Sequence, residues 1–358
     1  MAQEPKLTEQ EGHMADEKPE SETGCKDTGG DGAENLLEIK DLKLDLMSVR
    51  GIIHALNGVN LKIRPGEIHG LVGESGSGKS MTSKSVMRLH NEQRSRMSGK
   101  ILFHGRDLLK ASRKQMQAIR GGKISMIFQD PMTSLNPLLT VGEQIGETYR
   151  QHEKCSKAEA KKKTCEILEK VGIYPPEKRA LQYPFELSGG LQQRVMIAIA
   201  IACGPDLLIA DEPTTALDVT IQAQILELLK KLSEDMGMSV LLITHNFGIV
   251  AEICDRVSVM YAGKVVETCD TKTIFRDAAH PYSRALIASI PKTGMNVEYL
   301  PTIPGSPPEL YGENKACAYL PRCSYRDNRC LQAPEMKSCG VGHLAACHHL
   351  QAQEAEKD

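Results

Sequence analysis

Residues 73–80, GESGSGKS, have the composition and order of a loop that binds phosphate. They match the pattern G-x-x-x-x-G-K-[ST] at every position, follow an apolar segment and precede a predicted helix, which is the context that the motif requires. The glycines let backbone N–H groups turn toward phosphate oxygens, and the helix N-terminus adds a favourable dipole. We expect Lys79 to bind the β- and γ-phosphates of a nucleotide and Ser80 to bind Mg²⁺. A glycine turn without a ligand is the alternative, and the full match in this context disfavours it.

Two acidic residues follow an apolar strand in the segment LLIADE, residues 207–212. The carboxyl ends of strands in open α/β sheets lie near bound phosphates, so we expect Asp211 to hold Mg²⁺ and Glu212 to polarise an attacking water molecule. An exposed acidic pair with no ligand is the alternative for such a strand end. The phosphate loop in the same chain favours the functional interpretation, with phosphoryl transfer to water as the reaction.

The elements that must position these residues indicate a parallel α/β fold. Alternation in residues 36–46 predicts a strand, and residues 54–73 predict two strands joined by a Pro-Gly turn. A helix is expected at 80–90, further strands within 100–130, and helices from about 138 to 200. The short apolar runs at 206–211 and 239–245, with a helical segment at 220–237 between them, are typical of central parallel strands.

Composition along the chain predicts three regions. Residues 1–36 are polar, acidic and glycine-rich, which predicts a disordered extension. Residues 37–290 are expected to form one nucleotide-binding domain with a helical subdomain at about 138–200, since the sequence has no long internal repeat. Residues 291–358 are expected to form a proline-rich extension that leads to a small cysteine module.

Bulk properties exclude several classes of protein. The net charge of −2 gives no reason to expect a nucleic-acid-binding protein, and no run of eighteen apolar residues predicts a membrane span. The N-terminus lacks a secretion signal, and several of the eleven cysteines lie in apolar or helical segments. We therefore expect an intracellular protein with reduced thiols.

Further motifs have the order found in one family. LSGGLQQR (187–194) precedes the Asp-Glu strand, ALD ends at Asp218, LLITH ends at His245, and Gln129 follows MIF. Ser188, Gly189 and Gly190 open a predicted helix and offer a second phosphate site, which must serve another nucleotide because the chain already has one. Together these motifs resemble those of the ATP-binding cassette (ABC) ATPases over residues 37–290.

The resemblance implies a P-loop ABC cassette with a parallel sheet core, an antiparallel β subdomain and a helical subdomain. It also implies that two cassettes dock head to tail, so that the signature at 188–190 closes the ATP of the partner, while Gln129 and His245 sense Mg²⁺, water and the γ-phosphate. The motifs and the resemblance together assign catalysis to Glu212, His245 and Gln129 and Mg²⁺ binding to Ser80, Gln129 and Asp211. They assign nucleotide binding to Gly73, Glu74, Ser75, Gly76, Ser77, Gly78, Lys79, Ser80, Met81, Arg50, Ser188, Gly189, Gly190 and Asp218.

One feature departs from the family pattern. These cassettes usually stack adenine on an aromatic residue about 25–30 positions before the P-loop lysine, whereas residues 44–57 contain no Phe, Tyr or Trp. Arg50 could stack through its guanidinium plane, and Ile53 or His54 could pack against the ring. Weaker selectivity for the base is a further consequence of this departure.

Four stretches resemble the ATPase subunits of oligopeptide, dipeptide and nickel importers, namely residues 126–145, 280–291, 302–310 and the cysteine tail. The resemblance implies a second, homologous ATPase subunit, two membrane permeases and an external peptide-binding protein, with the chain peripheral on the cytoplasmic side of the membrane. Met132, Leu135, Leu138 and Leu139 would contact a permease helix, or would instead pack within the helical subdomain. The alternatives are a nickel importer and, in another class, an ABC ATPase that acts on ribosomes or DNA.

The cysteine tail at 317–330, CAYLPRCSYRDNRC, is followed by Cys339 and Cys347. A reducing compartment disfavours disulfides, and spacings of five and six residues are wide for structural zinc. Unrelated surface cysteines would rarely cluster in this way, whereas four thiolates with irregular spacing suit a [4Fe–4S] cluster. The importer resemblance implies Cys317, Cys323, Cys330 and Cys347 as ligands, with Cys339 as the alternative fourth ligand, zinc as the alternative metal and a structural role for the site.

Overall fold

The computed structural model of the protein describes residues 35–215, 217–291, 302–312 and 315–350, without the side chains of Pro131 and Met132. Apart from Asn35 and Leu36, the predicted disordered extension lies outside these residues. Leu36 is buried and its backbone N–H donates to the Ile63 carbonyl at 2.9 Å, so this residue belongs to the folded part of the chain.

The described residues form twelve strands and eleven helices. The strands are β1 (Leu37–Ser48), β2 (Gly51–Ile63), β3 (Ile68–Val72), β4 (Ser95–Phe103), β5 (Arg106–Asp107), β6 (Ile124–Ile127), β7 (Leu207–Asp211), β8 (Ser239–Thr244), β9 (Arg256–Tyr261), β10 (Lys264–Asp270), β11 (Lys337–Gly340) and β12 (His343–Ala345). The helices are α1 (Lys79–Val86), α2 (Arg113–Ile119), α3 (Pro131–Ser134), α4 (Val141–Glu153), α5 (Lys157–Lys170), α6 (Pro176–Ala180), α7 (Gly189–Ile201), α8 (Val219–Met236), α9 (Phe247–Ile253), α10 (Thr271–Asp277) and α11 (Pro281–Ala288). In this part of the chain no helix has both the length and the apolar composition that a membrane span needs.

The main sheet has eight strands in the order β11-β12-β10-β9-β3-β8-β7-β6. Its centre is parallel: β3 pairs with β8 and β9, and β7 pairs with β6 and β8. Every residue of β3, β7 and β8 is buried, because helices cover both faces of such a sheet. The predicted central parallel strands and the helix between them are confirmed.

A second, four-stranded antiparallel sheet has the order β2-β1-β4-β5. It supplies the predicted β subdomain, and its buried side chains join those of β3, β7 and β8 in one apolar cluster. The helix after the phosphate loop is shorter than predicted. It ends at Val86 because Arg88 adopts a φ of +48°, a left-handed conformation that a helix cannot continue through.

Helices α4 to α7 form the predicted helical region. Thr140 and Ser156 begin α4 and α5 with reciprocal capping hydrogen bonds to Glu143 and Glu159, which fixes where each helix starts. Helix α7 is mostly buried and carries the signature motif at its N-terminus. The structure therefore holds the signature on an element packed into the core.

The C-terminal segment is not separate from the main sheet. Strand β12 pairs antiparallel with β10, so that residues 337–345 extend the sheet beyond the predicted boundary at residue 291. Residues 302–312 also return to the antiparallel sheet, where Tyr311 bridges to Ile53 and the His54 N–H donates to the Leu310 carbonyl at 2.8 Å. The predicted domain boundaries remain a prediction.

Candidate functional site

The phosphate loop connects β3 to α1 at the centre of the main sheet. Gly73 has a φ of +154°, and a Cβ atom there would lie 2.1 Å from the Met260 carbonyl oxygen. Gly78 has a φ of +105°, and its Cβ would lie 2.8 Å from the Met260 side chain. Both positions require glycine, because a side chain would collide with β9 and strain the backbone. The loop is therefore packed tightly on its inner side and open toward solvent.

Lys79 begins α1 and is buried. Its Nζ donates to the carbonyl oxygens of Gly73 at 2.7 Å and Glu74 at 2.9 Å. Burial lowers the pKa of Lys79, and the charges of Glu212 and Asp211 raise it only in part. An ammonium held by carbonyl oxygens alone can exchange these bonds for stronger ones to phosphate oxygens.

Ser80 and Asp211 meet where α1 begins and β7 ends. The Ser80 hydroxyl donates to Asp211 Oδ1 at 2.9 Å. Burial raises the pKa of Asp211, while the bond from Ser80 lowers it. A hydroxyl and a buried carboxylate supply the hard oxygen donors that Mg²⁺ prefers, so these residues fit the predicted magnesium site.

Glu212 receives three hydrogen bonds on its carboxylate. Gln129 Nε2 donates at 3.1 Å and Thr215 Oγ1 at 2.9 Å to one oxygen, and His245 Nδ1 lies 3.1 Å from the other. Burial raises the pKa of Glu212, but the bonds from His245 and Thr215 outweigh burial and hold it below its usual value. The structure thus brings together the three predicted catalytic residues and adds Thr215. Sequence analysis missed Thr215, although its hydroxyl lies only three residues after Glu212, the predicted catalytic carboxylate.

Most of these groups border one open cavity of about 740 Å³. All residues from 73 to 81 except Ser77 border it, together with Gln129, Glu212 and His245. Leu286 and three further aliphatic side chains also border it, and these three, Leu46, Ile53 and Leu310, come together where β1, β2 and residues 302–312 pair. The cavity therefore has a polar end for phosphates and an aliphatic end for a base.

The base end differs from the predicted arrangement around Arg50. Arg50 is exposed in the turn between β1 and β2 and does not border the cavity, and His54 is held by Asp45 at 2.7 Å. Ile53 does border it. Among the described residues that line the cavity, none is Phe, Tyr or Trp. Sequence analysis missed Leu286 and Leu310. Both lie beyond residue 280 and reach the cavity only in the folded chain, so no local sequence pattern indicates these contacts.

The signature residues lie outside this cavity. Ser188 is the N-cap of α7, its side chain makes no capping hydrogen bond, and Ser188 and Gly189 are exposed. Asp218 caps α8 through a 3.0 Å bond from the Ile221 N–H and likewise does not border the cavity. The exposed N-terminus of α7 is thus available to a phosphate that this chain's own loop does not hold.

Four of the five C-terminal cysteines converge. The Cys317 N–H donates to the Cys330 carbonyl at 2.9 Å. Burial, together with the charges of Cys317, Cys323 and Cys330, raises the pKa of the Cys347 thiol to about 11. Cys339 lies elsewhere: its thiol donates to the His343 carbonyl at 3.6 Å, and Glu267 and Cys269 lie near it. The structure therefore groups Cys347, not Cys339, with the first three cysteines.

The spacing of these four sulfurs bears on the type of metal centre. In the described residues, no three of them have sulfurs within 4.8 Å of one another. A tetrahedral zinc site with Zn–S bonds of about 2.3 Å would bring its sulfurs to about 3.8 Å. Thiolates are soft ligands that both zinc and iron–sulfur centres use, so the type of donor fits either metal.

Two mixed groups of potential metal ligands lie beside the cysteines. Asp327, Cys330 and His349 offer ligand atoms within 4.8 Å of one another, which places His349 next to the cysteine set. Glu267, Cys269 and His343 form the other group. Both oxygens of Glu267 already accept hydrogen bonds, from the Ala279 N–H (2.6 Å), the His280 N–H (2.9 Å) and His343 Nε2 (2.7 Å), so its role is to join β10, β12 and α11.

The predicted permease surface is corrected in part. Leu135 is buried and packs within the helical region, whereas Leu138 is 83% exposed and Leu139 is half-buried. The side chain of Met132 lies outside the described part of the chain. Exposed side chains that sequence analysis missed lie in the segment before α7, and these are Tyr174, Leu181, Tyr183 and Phe185. Tyr183 and Phe185 stack with their ring centroids 5.6 Å apart.

Comparison with known proteins identifies the family of the chain. Residues 56–215 match the family described as ABC transporter, and residues 266–330 match the oligopeptide/dipeptide transporter, C-terminal region. The chain is 48% identical to the probable peptide ABC transporter ATP-binding protein y4tR of Sinorhizobium fredii over 318 residues, which cover 88% of this chain and 95% of the relative. It is 53% identical to the oligopeptide transport ATP-binding protein OppD of Bacillus subtilis, over 81% of this chain and 82% of the relative.

Solved structures give the same result for the fold. The post-hydrolysis dimer of the ATP-binding cassette MJ0796 bound to ADP and Pi superimposes with a TM-score of 0.59 at 31% identity, covering 66% of this chain and 98% of that one. The cassette cbiO1 of Clostridium perfringens gives a TM-score of 0.58 at 29% identity, covering 68% and 91%. The two curated relatives share most of their length with this chain. The chain therefore belongs to the ATPases of the ABC transporter family, in the group of its peptide-transport ATP-binding proteins.

Proposed function

We propose that this protein is the ATP-hydrolysing subunit that powers import of peptides through a membrane permease. The observation that carries the proposal is the carboxylate of Glu212, held by Gln129, Thr215 and His245 at the phosphate end of a nucleotide-sized cavity. The peptide substrate rests on relatives whose names include oligopeptide and dipeptide transport. The protein would lie on the cytoplasmic face of the membrane, with two permeases and, indirectly, an external peptide-binding protein as partners.

The reaction is phosphoryl transfer from ATP to water. Glu212 accepts a proton from water, the water oxygen forms a bond to the γ-phosphorus, and the bond from that phosphorus to the bridging oxygen breaks, which releases ADP and phosphate. His245 and Thr215 lower the pKa of Glu212 and so keep it ionised, the form that can accept the proton. Lys79 and the loop amides hold the phosphates, and bound Mg²⁺ would neutralise their charge from Ser80 and Asp211.

Hydrolysis is proposed to require a second cassette. The signature at 188–190 is exposed and lies outside the cavity of its own chain, so in this proposal it closes the ATP of a partner, and the partner's signature closes the ATP of this chain. MJ0796, a cassette of the same fold, is a dimer in a post-hydrolysis state. We expect the partner to be a homologous, different chain.

Replacing Glu212 by Gln tests the catalytic part of the proposal. The amide cannot take the proton, so phosphate release should fall by about 10²- to 10⁴-fold while ATP still binds. The variant should accumulate as an ATP-bound dimer, visible by size-exclusion chromatography with labelled ATP. Glu252→Gln, an exposed glutamate on α9, is the matched control and should keep wild-type activity. Brisk hydrolysis by Glu212→Gln would overturn the role of this residue.

The transport part is tested by affinity purification from native membranes. Recovery of two permeases and a second cassette supports the proposal, and radiolabelled peptide uptake by the recovered complex identifies the substrate class. Uptake of Ni²⁺ instead of peptide would identify a nickel importer. Recovery of ribosomes or DNA without permeases would contradict transport altogether.

We further propose that Cys317, Cys323, Cys330 and Cys347 bind a [4Fe–4S] cluster. Their convergence supports this assignment. When bound, such a cluster would supply four metal–sulfur bonds that cross-link the segment from 317 to 347. Tyr319, between Cys317 and Cys323, packs against Tyr261 of β9 and Tyr282 of α11, so the proposed role of the cluster is structural.

Iron content separates the two possible fourth ligands. Anaerobically purified protein should contain about four irons per chain and absorb near 400 nm. Cys347→Ser should lose most of the iron, whereas Cys339→Ser should retain it, because the thiol of Cys339 lies beside Glu267 and Cys269. Stoichiometric zinc without iron in the wild-type protein, or iron loss in Cys339→Ser alone, would overturn this assignment.

A further inference from the structure

An arginine from the cysteine segment reaches the phosphate loop. Arg322 lies in a 3₁₀ turn, Leu320–Arg322, directly before Cys323. Its Nη1 lies 2.6 Å from Glu74 Oε2 and its Nη2 lies 3.0 Å from Glu74 Oε1, which is a two-bond pairing of guanidinium with carboxylate. The Arg322 side chain is only 4% exposed. A pair of this geometry in a buried setting is both strong and directional.

Arg322 itself is fixed on its other sides. Its Nε donates to the Pro304 carbonyl at 2.9 Å, and its guanidinium lies 5.9 Å from the ring centroid of Tyr261. Tyr261, Tyr282 and Tyr319 form a buried aromatic cluster beneath it, with ring centroids 4.5 to 5.4 Å apart. The arginine is therefore part of a rigid support rather than a mobile surface side chain.

The phosphate loop has few other anchors near Glu74. The Tyr282 hydroxyl accepts a 2.9 Å bond from the Glu74 N–H, and Lys79 binds the Glu74 carbonyl. Glycines at 73, 76 and 78 make the loop backbone costly to order. Glu74 also borders the cavity, where its negative charge would repel phosphates unless it were neutralised.

From these contacts we propose that Arg322 is a positioning residue for ATP: it orders the phosphate loop through Glu74 and cancels the charge of that carboxylate. The C-terminal cysteine segment thereby sets the affinity of the nucleotide site in its own chain. The inference rests on the proposed function, because it requires that the cavity bind ATP. It assigns to Arg322 no contact with the nucleotide and no step in hydrolysis.

A double-variant cycle on the full-length protein tests this proposal. Dissociation constants for Mg-ATP are measured for wild type, Arg322→Met, Glu74→Gln and the double variant, with Arg326→Met as the control for an exposed arginine in the same segment. Arg322→Met should weaken ATP binding by about fivefold or more, with a much smaller change in kcat at saturating ATP. In the Glu74→Gln background, Arg322→Met should change the affinity for ATP little, because residue 74 then carries no negative charge that Arg322 would need to neutralise.

The cycle distinguishes positioning from a general loss of structure. If Arg322→Met weakens binding equally in both backgrounds, or if ATP affinity is unchanged, the proposal is wrong. Should Arg322→Met fail to fold, Arg322→Lys replaces it, since lysine keeps the charge but loses the two-bond geometry and should weaken binding by less. A wild-type protein that does not bind Mg-ATP would instead refute the proposed function, so the two failures are distinguishable.

Discussion

At the scale of single residues, the properties of Glu212 depend on its neighbours more than on its own burial. Its φ of +49° is a left-handed conformation that costs a non-glycine residue about 1–2 kcal/mol. The Glu212 N–H donates to the Ile243 carbonyl at 2.9 Å, so β8 holds this conformation in place. The carboxylate is then directed toward Gln129, Thr215 and His245. Its basicity in the folded protein is a property of this arrangement.

Thr215→Val tests whether the pKa of Glu212 depends on its hydrogen-bonding neighbours. Valine has a similar shape but cannot donate the 2.9 Å hydrogen bond that lowers the pKa of Glu212. The pKa of Glu212 should therefore rise, and because the ionised base is lost as pH falls through that pKa, the acid limb of the kcat profile should move to higher pH. ATP hydrolysis measured from pH 4 to 8 gives the answer.

The control for this prediction is Thr302→Val, an exposed threonine outside the site, which should leave the profile in place. An acid limb that moves to lower pH in Thr215→Val, or does not move, would show that Thr215 does not control the ionisation of Glu212. Activity near neutral pH should fall much less than in Glu212→Gln, because the base itself remains.

At the scale of elements, residues 302–312 return from far along the chain to border the cavity. The pairing of Tyr311 with Ile53 and of Leu310 with His54 brings this segment onto β2. Leu310 then forms the base end of the cavity with Leu46 and Ile53. An aliphatic wall offers area to a purine ring but no stacking partner, so it distinguishes bases weakly.

Leu310→Ala should raise the KM for ATP by about tenfold, since the lost apolar contact corresponds to about 1–2 kcal/mol. The kcat should change little, because Glu212 and its partners are untouched. Wild-type protein should also hydrolyse GTP with a KM within about tenfold of that for ATP. Leu331→Ala is the control, because Leu331 is exposed elsewhere in the C-terminal segment. An unchanged KM in Leu310→Ala would place the base elsewhere.

Much of the arrangement of strands and helices could be predicted from the sequence. Apolar runs and their glycine and proline boundaries were enough to place β3, β7, β8 and α8, because a buried parallel strand must be apolar on both faces. The phosphate loop, Glu212 and His245 directly follow such strands, so their positions could also be predicted from the sequence. The contacts of Leu310 and Arg322 could not be predicted from the sequence. Each contact joins residues more than 200 positions apart, and no local motif marks either residue. The burial of Leu135 likewise depends on how the helical region closes.

At the scale of the whole molecule, we propose that exposed apolar side chains of the helical region form the surface on which a permease docks. Leu138 and Phe185 are 83% and 71% exposed, and the Val141 N–H donates to the Gln182 carbonyl at 2.9 Å, so the segments that carry them lie side by side. Large exposed apolar side chains that lie near one another often mark protein contacts. The contact proposed here would couple hydrolysis to movement in the membrane.

Leu138→Ser combined with Phe185→Ser should reduce recovery of permeases from membranes severalfold, with the basal ATPase activity of the purified subunit unchanged. Neither side chain borders the nucleotide cavity, so the two readouts should separate. Val341→Ser removes an exposed apolar side chain from the turn between β11 and β12 and serves as the control. Full recovery of permeases with the double variant would exclude this surface as the docking site.

The pair between Glu74 and Arg322 spans 248 positions of the chain, and this has a consequence for biosynthesis. At about 5–20 residues per second, a ribosome would need about 12–50 s to reach Arg322 after completing the phosphate loop. During that interval the emerging cassette has its loop but neither Leu310 nor Arg322, so it should bind nucleotide poorly. Chains that stall or are cut before residue 310 would then bind ATP more weakly than the complete protein, and a cassette without its C-terminal segment would consume less nucleotide.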